Sequence, residues 1–384
     1  MHLAFITGYP TPSRPNVAPF VKQFVWAMVR QGHECSVINP ANMFDLRYGP
    51  LPPRHVTEDA GGDRQVNVYH PRSISFSSKN LGWTHTGRWT QWAMNRAALR
   101  AIEQLPARPD VIYGHFLYSS GYAAVAAGKR MGIPSVVGVG EGVFWTVKPF
   151  GFPRAKRDFS SATGFLAVAS HIRNGLIGQI GIPSEKIIVE PNGVDLTRFR
   201  SANHAQARKQ LGVSQDQFLI TFVGNFDDLK GGVELVSAVE GMDGVALAMI
   251  GQGEKNFQSE KIVHLGRVGH EEVPIWLNAA DIFVLPTREE GSCNAVIEAM
   301  ACGLPIVTSN GHYMDDIVDD EIAIRVDPSD VNAIREAILT LKNDPDRRKK
   351  MSDACLKKAK QFDINERARR VTAWMEKLVK QYRA

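Results

Sequence analysis

The chain has 384 residues, 44% of them hydrophobic and 22% charged, with a formal net charge of +5. That length is more than one core usually takes and fits two domains of roughly 150–200 residues each, while the ordinary composition excludes a disordered chain. The charge is uneven: residues 1–200 hold 22 Lys and Arg against 12 Asp and Glu, whereas residues 201–384 hold 23 against 28.

In chain order, His2–Thr7 reads as a buried strand, so the opening MHLAFITGYP lacks the long apolar core and basic flank of a leader. Gly8 follows, then PTPSRPNVAPF with Arg14 and Asn16, and a helix is expected from Phe20 to Gly32. No Gly-x-Gly-x-x-Gly is present here, which argues against a dinucleotide oxidoreductase. Cys35–Asn39 is the next strand. A stretch around Trp83, Trp89 and Trp92 mixes cations with aromatics. It suits a membrane interface, and Trp89 and Trp92 suit the buried face of a helix equally well. Val111–Tyr113, Ser135–Gly138 and Gly164–Ala169 are buried strands, with a helix over Gly121–Met131. His115 follows the first of these, where a lone histidine is more often structural. Glu141 stands at the carboxyl end of the second, behind Gly138 and Gly140. It is a candidate for contacting or deprotonating a hydroxyl, against the plainer reading of a loop carboxylate. The next loop, VFWTVKPFGFPRAKR, again combines aromatics (Trp145, Phe150, Phe152) with cations.

The two halves are expected to join near Pro191–Ser201, PNGVDLTRFRS. Beyond it Phe218–Val223, Val245–Ile250, Ile262–His264, Ile282–Leu285 and Ile306–Thr308 read as strands with helices between, and a last helix runs from about Asn365 to Arg383. Such alternation implies a parallel, doubly wound sheet in each half. The most informative segment is Asp281–Val307, DIFVLPTREEGSCNAVIEAMACGLPIV: a strand, a polar loop, a helix over Cys293–Cys302 and a second strand. Its loop lies where open α/β sheets bind ligands, and the N–H groups of Ser292, Cys293 and Asn294 would face an anion there. Glu290 in the loop and Glu298 one turn inside the helix bracket that position. Such a pair suits a ligand with hydroxyls at both ends and phosphates between, a nucleotide sugar. Gly291, Ala295, Ala299, Ala301 and Gly303 permit close backbone approach. Upstream, GNFDDLKGG sets Gly224, Asn225 and Lys230 after a strand, a reasonable way to bring an ammonium to phosphates. IGQGE makes a tight turn with Gly251 and Gly253.

Asp281–Val307 resembles the donor-site segment of the retaining glycosyltransferases of family four, which have the GT-B architecture. The resemblance implies an α/β fold of two Rossmann-like, doubly wound parallel-sheet domains with an interdomain cleft. They would comprise residues 1–195, with a crossover helix at 365–384 returning to them, and residues 196–364. It implies that Glu290 contacts the donor hexose, Glu298 the ribose hydroxyls and Lys230 the diphosphate. In the family's Gly-Arg-x-x-x-x-Lys-Gly pattern Asn225 replaces the arginine, which leaves three readings open: another cation such as Arg267 or Arg173 substitutes, donor affinity is weaker, or the domain is catalytically compromised. Gly251, Gly253, Arg267 and Val268 would wall the nucleobase pocket; Gly224, Gly291, Ser292, Cys293, Asn294 and Ala295 would complete the donor site. PNGVD resembles the family's interdomain hinge motif. On the acceptor side the family's His-Gly-x-Asp is here Gly138-Val139-Gly140-Glu141, without the histidine. Glu141 is therefore the catalytic candidate there, accompanied by Gly8, Asn16, His115, Gly140 and Trp145.

The expected activity is retaining, metal-independent transfer of a hexose-like sugar from a nucleotide diphosphate donor to a hydroxyl acceptor. No cofactor, metal or nucleic acid is expected. The acceptor is expected to be an anionic lipid-linked glycan or surface polysaccharide. The location is expected to be cytoplasmic, peripheral on the inner face of the membrane, since no apolar run is long enough to span one and the four cysteines show no paired spacing. Two rivals remain open at this stage. One is other chemistry on the same architecture, a nucleotide-sugar epimerase or a phosphorylase; the other is a non-catalytic subunit of a polysaccharide assembly complex.

Overall fold

Runs such as HLAFI, SVVGV, FLITFV and VALAMI carry apolar residues on both sides of the strand, so they stay out of water only at the centre of a sheet covered on both faces. A computed structural model of the chain builds two such sheets, in two compact units: Met1–Pro191 with Ile364–Ala384, and Asn192–Asp363. It describes every residue except 16, 45–48, 77–78, 80 and 83–84. Asn16 and Trp83 thus lie outside the described residues.

In the first unit β1 (His2–Ile6) leads to α1 (Pro19–Arg30) and β2 (Glu34–Ile38). The short β3 (Ala41–Asn42) is followed by β4 (His55–Gly61), β5 (Arg64–Tyr69) and β6 (Arg72–Ser73), then α2 (Gly87–Glu103). β7 (Val111–His115), α3 (Tyr122–Met131), β8 (Ser135–Val139), α4 (Phe152–Phe159), β9 (Gly164–Ala167), α5 (Ser170–Gly175) and β10 (Ile187–Val189) complete the continuous part. The eight-stranded sheet has the order β10-β9-β8-β7-β1-β2-β5-β4. Its strands are parallel except β4, which runs antiparallel to β5 at the edge. The chain thus leaves β1 toward β2 and later returns to its other side with β7. The loops after β1 and β7 flank that reversal, where such sheets bind ligands.

The second unit contains α6 (His204–Leu211), β11 (Phe218–Val223), α7 (Gly232–Val239), β12 (Val245–Ile250), β13 (Ile262–Gly266) and α8 (Val273–Ala279). It continues with β14 (Ile282–Leu285), α9 (Asn294–Ala301), β15 (Ile306–Ser309), β16 (Ala323–Val326), α10 (Val331–Asn343) and α11 (Pro345–Ala359). Its sheet, β13-β12-β11-β14-β15-β16, reverses direction between β11 and β14. The final helix α12 (Ile364–Arg383) buries Ile364, Ala368, Val371, Met375 and Val379 in the same core as Leu3, Phe5 and Val25 of the first unit.

The expected strands are present with shifts of a residue or two at their ends. The aromatic–cationic stretches differ from expectation. From Gly87 the first is a helix, α2, and Trp89 and Trp92 lie on its exposed side (37% and 64% exposed) rather than in its buried face, which is formed by Gln91, Ala97, Ala98 and Ile102. The second loop becomes helix α4 at Phe152, because Pro153 fits the first turn. No helix among the described residues is long and apolar enough to cross a membrane.

Candidate active site

Because β11 and β14 are neighbours at the reversal point, the loops that leave them run side by side. The first turns through Asp227, whose Oδ1 accepts from the N–H groups of Leu229 and Lys230. Gly231 then enters α7 with φ of +69°, and a Cβ there would sit 2.2 Å from the carbonyl oxygen of Pro286. Only glycine permits that approach. The second loop is tied to the first through Arg288 N–H and Thr287 Oγ1, both donating to the Leu229 carbonyl (2.7 and 3.1 Å). The result brings Lys230 Nζ to 2.5 Å from Glu290 Oε1. Burial works against the ammonium's charge, but Glu290 outweighs it and holds the Lys230 pKa above its ordinary value. Cys293 Sγ also lies 3.4 Å from Glu290 Oε1 and, buried, stays a thiol well above the usual range.

Helix α9 begins at Asn294 without a side-chain cap on Cys293; Val296 N–H donates to the Cys293 carbonyl (3.1 Å), which leaves the N–H groups of Asn294 and Ala295 for a ligand. Ser292 and Asn294 are anchored by Asn192: its N–H donates to Ser292 Oγ (3.1 Å) and its Nδ2 to Asn294 Oδ1 (2.9 Å). The side chains of these two residues thus hold the loop, whereas the role expected of them toward an anion was that of their backbone N–H groups. Gly291 and Ala295 flank them in the loop and the first turn. Glu298, one turn on, pairs with His270 Nε2 at 3.3 Å, and Phe199 packs edge-on against that imidazole. Arg198 stands near Glu298, its pKa lowered by burial against the pull of Glu298, Glu271 and Asp195.

The remaining donor-side glycines have packing reasons of their own. A Cβ on Gly251 would meet the Gly224 carbonyl oxygen at 1.8 Å, and one on Gly253 the Phe226 carbonyl oxygen at 2.2 Å. The loops after β11, β12 and β13 are laced by Gly224 N–H to Ile250 O, Phe226 N–H to Gln252 O and Gly251 N–H to Gly266 O. Val268 follows in the last of them. Asn225 is exposed on the first loop. Arg267 does not join Lys230: it is exposed and donates to Gln252 Oε1 (3.0 Å). Arg173 belongs to the first unit.

In the first unit Glu141 is almost fully buried beyond β8. Its Oε1 accepts from Leu117 N–H (2.8 Å) and Thr146 Oγ1 (2.8 Å), while Oε2 is buried with no partner. No cation among the described residues faces it, so burial pushes its pKa up to about 7 against those hydrogen bonds. His115 lies at the end of β7, and its Nδ1 is 2.9 Å from the Tyr113 hydroxyl. Burial, helped by Arg367, lowers its pKa to about 3, so it is neutral. The other ring nitrogen, Nε2, is buried without a hydrogen-bond partner among the described residues. Gly138 has no room for a side chain: a Cβ would lie 1.8 Å from the Tyr113 hydroxyl oxygen and 3.0 Å from His115 Nδ1. The Tyr113–His115 pair therefore occupies the space that a histidine at 138 would need. His115, Gly140 and Glu141 are gathered together; Gly140 packs beside Phe116, which holds φ of +70° and lies beneath the exposed Trp145 (ring centroids 6.4 Å). Gly8 lies in the loop after β1, and Asn16 is outside the described residues.

The sequence reading missed Asn192, Arg198, His270, Tyr113 and Thr146 as site partners. Asn192 stood in the PNGVD turn and carried a signal; the others had none.

Residues 17–198 match the model for Glycosyltransferase Family 4, and residues 203–358 match that for Glycosyl transferases group 1. The chain belongs to this glycosyltransferase family. A protein of Bacillus subtilis (strain 168) named as a teichuronic acid biosynthesis glycosyltransferase, TuaC, is 27% identical over 351 residues, covering 88% of each chain. The UDP-Gal:alpha-D-GlcNAc-diphosphoundecaprenol alpha-1,3-galactosyltransferase of Escherichia coli is 26% identical over 269 residues, 61% of this chain and 67% of that protein. Among solved structures, sucrose-phosphate synthase from Thermosynechococcus elongatus superposes with a TM-score of 0.77 at 16% identity, over 99% of this chain and all of that one. Anabaena Alr3699/HepE in complex with UDP-glucose gives 0.73 at 15% identity, over 98% of this chain and 100% of that chain. The fold is therefore GT-B.

Proposed function

We propose that the protein is a retaining, metal-independent glycosyltransferase that moves a hexose-like sugar from a nucleoside diphosphate to a hydroxyl of a lipid-linked glycan. The observation that carries this reading is the Lys230–Glu290 pair at the reversal point of the second sheet, one helix turn from Glu298. A diphosphate is the stronger partner for an ammonium, so donor binding would draw Lys230 from Glu290 and free that carboxylate for the sugar. The first N–H groups of α9 would take phosphate oxygens, and Glu298 would exchange His270 for the ribose hydroxyls. Transfer breaks the bond between the sugar's anomeric carbon and the diphosphate. The diphosphate leaves with the electron pair, stabilised by Lys230 and the helix start. The acceptor oxygen bonds the same carbon and gives its proton to Glu141, whose raised pKa suits a base near neutral pH. A hydroxyl brought there also meets the unpartnered Nε2 of His115. The lipid-linked acceptor is supported by the diphosphoundecaprenol substrate in the name of the Escherichia coli relative. A cytoplasmic enzyme, peripheral on the inner membrane face, follows from such an acceptor.

The test is to incubate the full chain with a panel of nucleotide sugars, with and without a lipid-linked glycan, in EDTA. Release of nucleoside diphosphate coupled to acceptor glycosylation, with the anomeric configuration kept, is expected. Donor turnover without acceptor would favour an epimerase, and absence of nucleotide-sugar binding would overturn the proposal.

A further inference from the structure

Residues 64–102 contain six Lys and Arg and not one Asp or Glu. Helix α2 carries four of its side chains at four-residue intervals, Arg88, Trp92, Arg96 and Arg100, and all four are exposed, which puts them in one stripe. Arg54, ahead of β4, and Arg72, in β6, approach from the neighbouring strands. Together with Arg96, Arg100 and Trp92 they line a groove of about 570 Å³ that has no carboxylate in its wall. Among the described residues none of these four arginines forms an ion pair. His70, also in the wall, has its pKa lowered by burial and contributes no charge at neutral pH.

Gathering four guanidinium groups costs repulsion that no carboxylate among the described residues offsets. Part of the cradle is also preset: Arg72 Nη2 donates to the Pro52 carbonyl (2.6 Å), while its Nη1 is buried with no partner. Fixed, planar donors of this kind suit phosphate oxygens. The surroundings select the kind of phosphate. Met43, Phe44, Trp89 and Trp92 are exposed on adjoining segments, Phe44 by 71% and Trp92 by 64%. Arg96 lies over the Trp92 ring (5.8 Å). A small soluble anion has no use for an apolar border, whereas a bilayer surface offers headgroup phosphates beside acyl chains. The groove also shares His70 and Ser73 with a smaller cavity lined by Tyr9, Arg14 and Asn39, at the carboxyl ends of β1 and β2. An amphiphile held by its phosphate would thus have its polar head beside the sheet edge where acceptors are handled.

We propose that this arginine groove and its aromatic border are the surface by which the first unit docks on an anionic lipid bilayer. This rests on the lipid-linked acceptor of the proposed function. It assigns the contact to α2 and the β4–β6 region rather than to the loop at 143–157, where Arg154 is already paired with Asp158.

The full chain is sedimented with phosphatidylcholine vesicles, with and without phosphatidylglycerol, and tested by calorimetry against inorganic pyrophosphate and a nucleoside diphosphate. Wild type should bind only the anionic vesicles, and less so as salt rises. The exposed pair Arg96→Ser/Arg100→Ser should lose about fivefold per arginine, roughly 30-fold in all, with nucleoside diphosphate affinity unchanged. Trp92→Ser should weaken the binding that persists at high salt, and Lys148→Ser/Lys156→Ser should leave vesicle binding intact. Wild-type levels of vesicle binding by the double arginine variant would overturn this groove while leaving the lipid-linked acceptor standing. No vesicle binding by wild type would overturn both. Pyrophosphate binding that disappears in the double variant, without vesicle binding, would reveal a site for a soluble phosphate and overturn the membrane assignment.

Discussion

Glu290 and Glu141 both stand just past parallel strands, at the carboxyl edges of two similar sheets, yet they are held in opposite ways. Glu290 has an ammonium 2.5 Å away on a loop from the adjacent strand. Glu141 has only a backbone N–H and a hydroxyl on one oxygen and nothing on the other. The first carboxylate is paired with a cation. The second carries the cost of burial without one, and so has a pKa of about 7. Similar topology has thus produced a paired charge in one unit and a carboxyl with a raised pKa in the other.

The sharpest way to break this contrast is Glu141→Gln, which keeps the shape and both donors' neighbours but removes the base. Turnover should fall by roughly 10²–10⁴, with donor affinity intact; unchanged turnover would leave Glu141 a structural carboxylate. The same variant tests the burial cost. Wild-type Glu141 has a folded pKa raised above its unfolded value, so its favourable contribution is complete below about pH 4.5 and is lost as pH rises through about 7. By pH 8 the penalty is about 3 kcal/mol, and Glu141→Gln should be more stable than wild type there but not at pH 4, by denaturant titration.

Next in size is Lys230→Ala, which should weaken nucleoside diphosphate binding by about 1.5–3 kcal/mol and leave Glu290 uncompensated. Calorimetry showing equal affinity would detach Lys230 from the phosphates. Glu298→Ala should cost about 1–3 kcal/mol in the same titration if the carboxylate binds ribose, less whatever the lost His270 contact returns. Equal affinity for the nucleoside diphosphate in both proteins would end that assignment. The smallest effect should come from Asn225→Arg, which adds a cation on the exposed side of the Lys230 loop and should tighten binding by about tenfold at most. Weaker binding would mean that another group already occupies the space.

Much of the fold could be read beforehand because buried parallel strands are continuous apolar runs, and Phe218–Val223 needed nothing more. The hairpin of β4 and β5 escaped because HVTEDAG and RQVNVY alternate polar residues along an edge, where little must be buried. Glu290, Glu298 and Lys230 were recognisable as parts of local motifs. His270 was not, since it reaches Glu298 from a loop 28 residues away. Nor was the reason for Gly138, which depends on Tyr113 and His115 arriving from the adjacent strand and filling the volume beside its Cα.

Helix α12 follows the second unit in the chain but supplies part of the first unit's core. During synthesis the second unit, residues 192–363, is contiguous and can fold once it has emerged. The first must wait with an uncovered apolar face. At about 5–20 residues per second the ribosome needs roughly 10–40 s to pass from Pro191 to the last residue. A chain truncated after Asp363 and released from the ribosome should therefore show a protease-resistant second unit and a first unit that is still cut, and extending it through Arg383 should protect both.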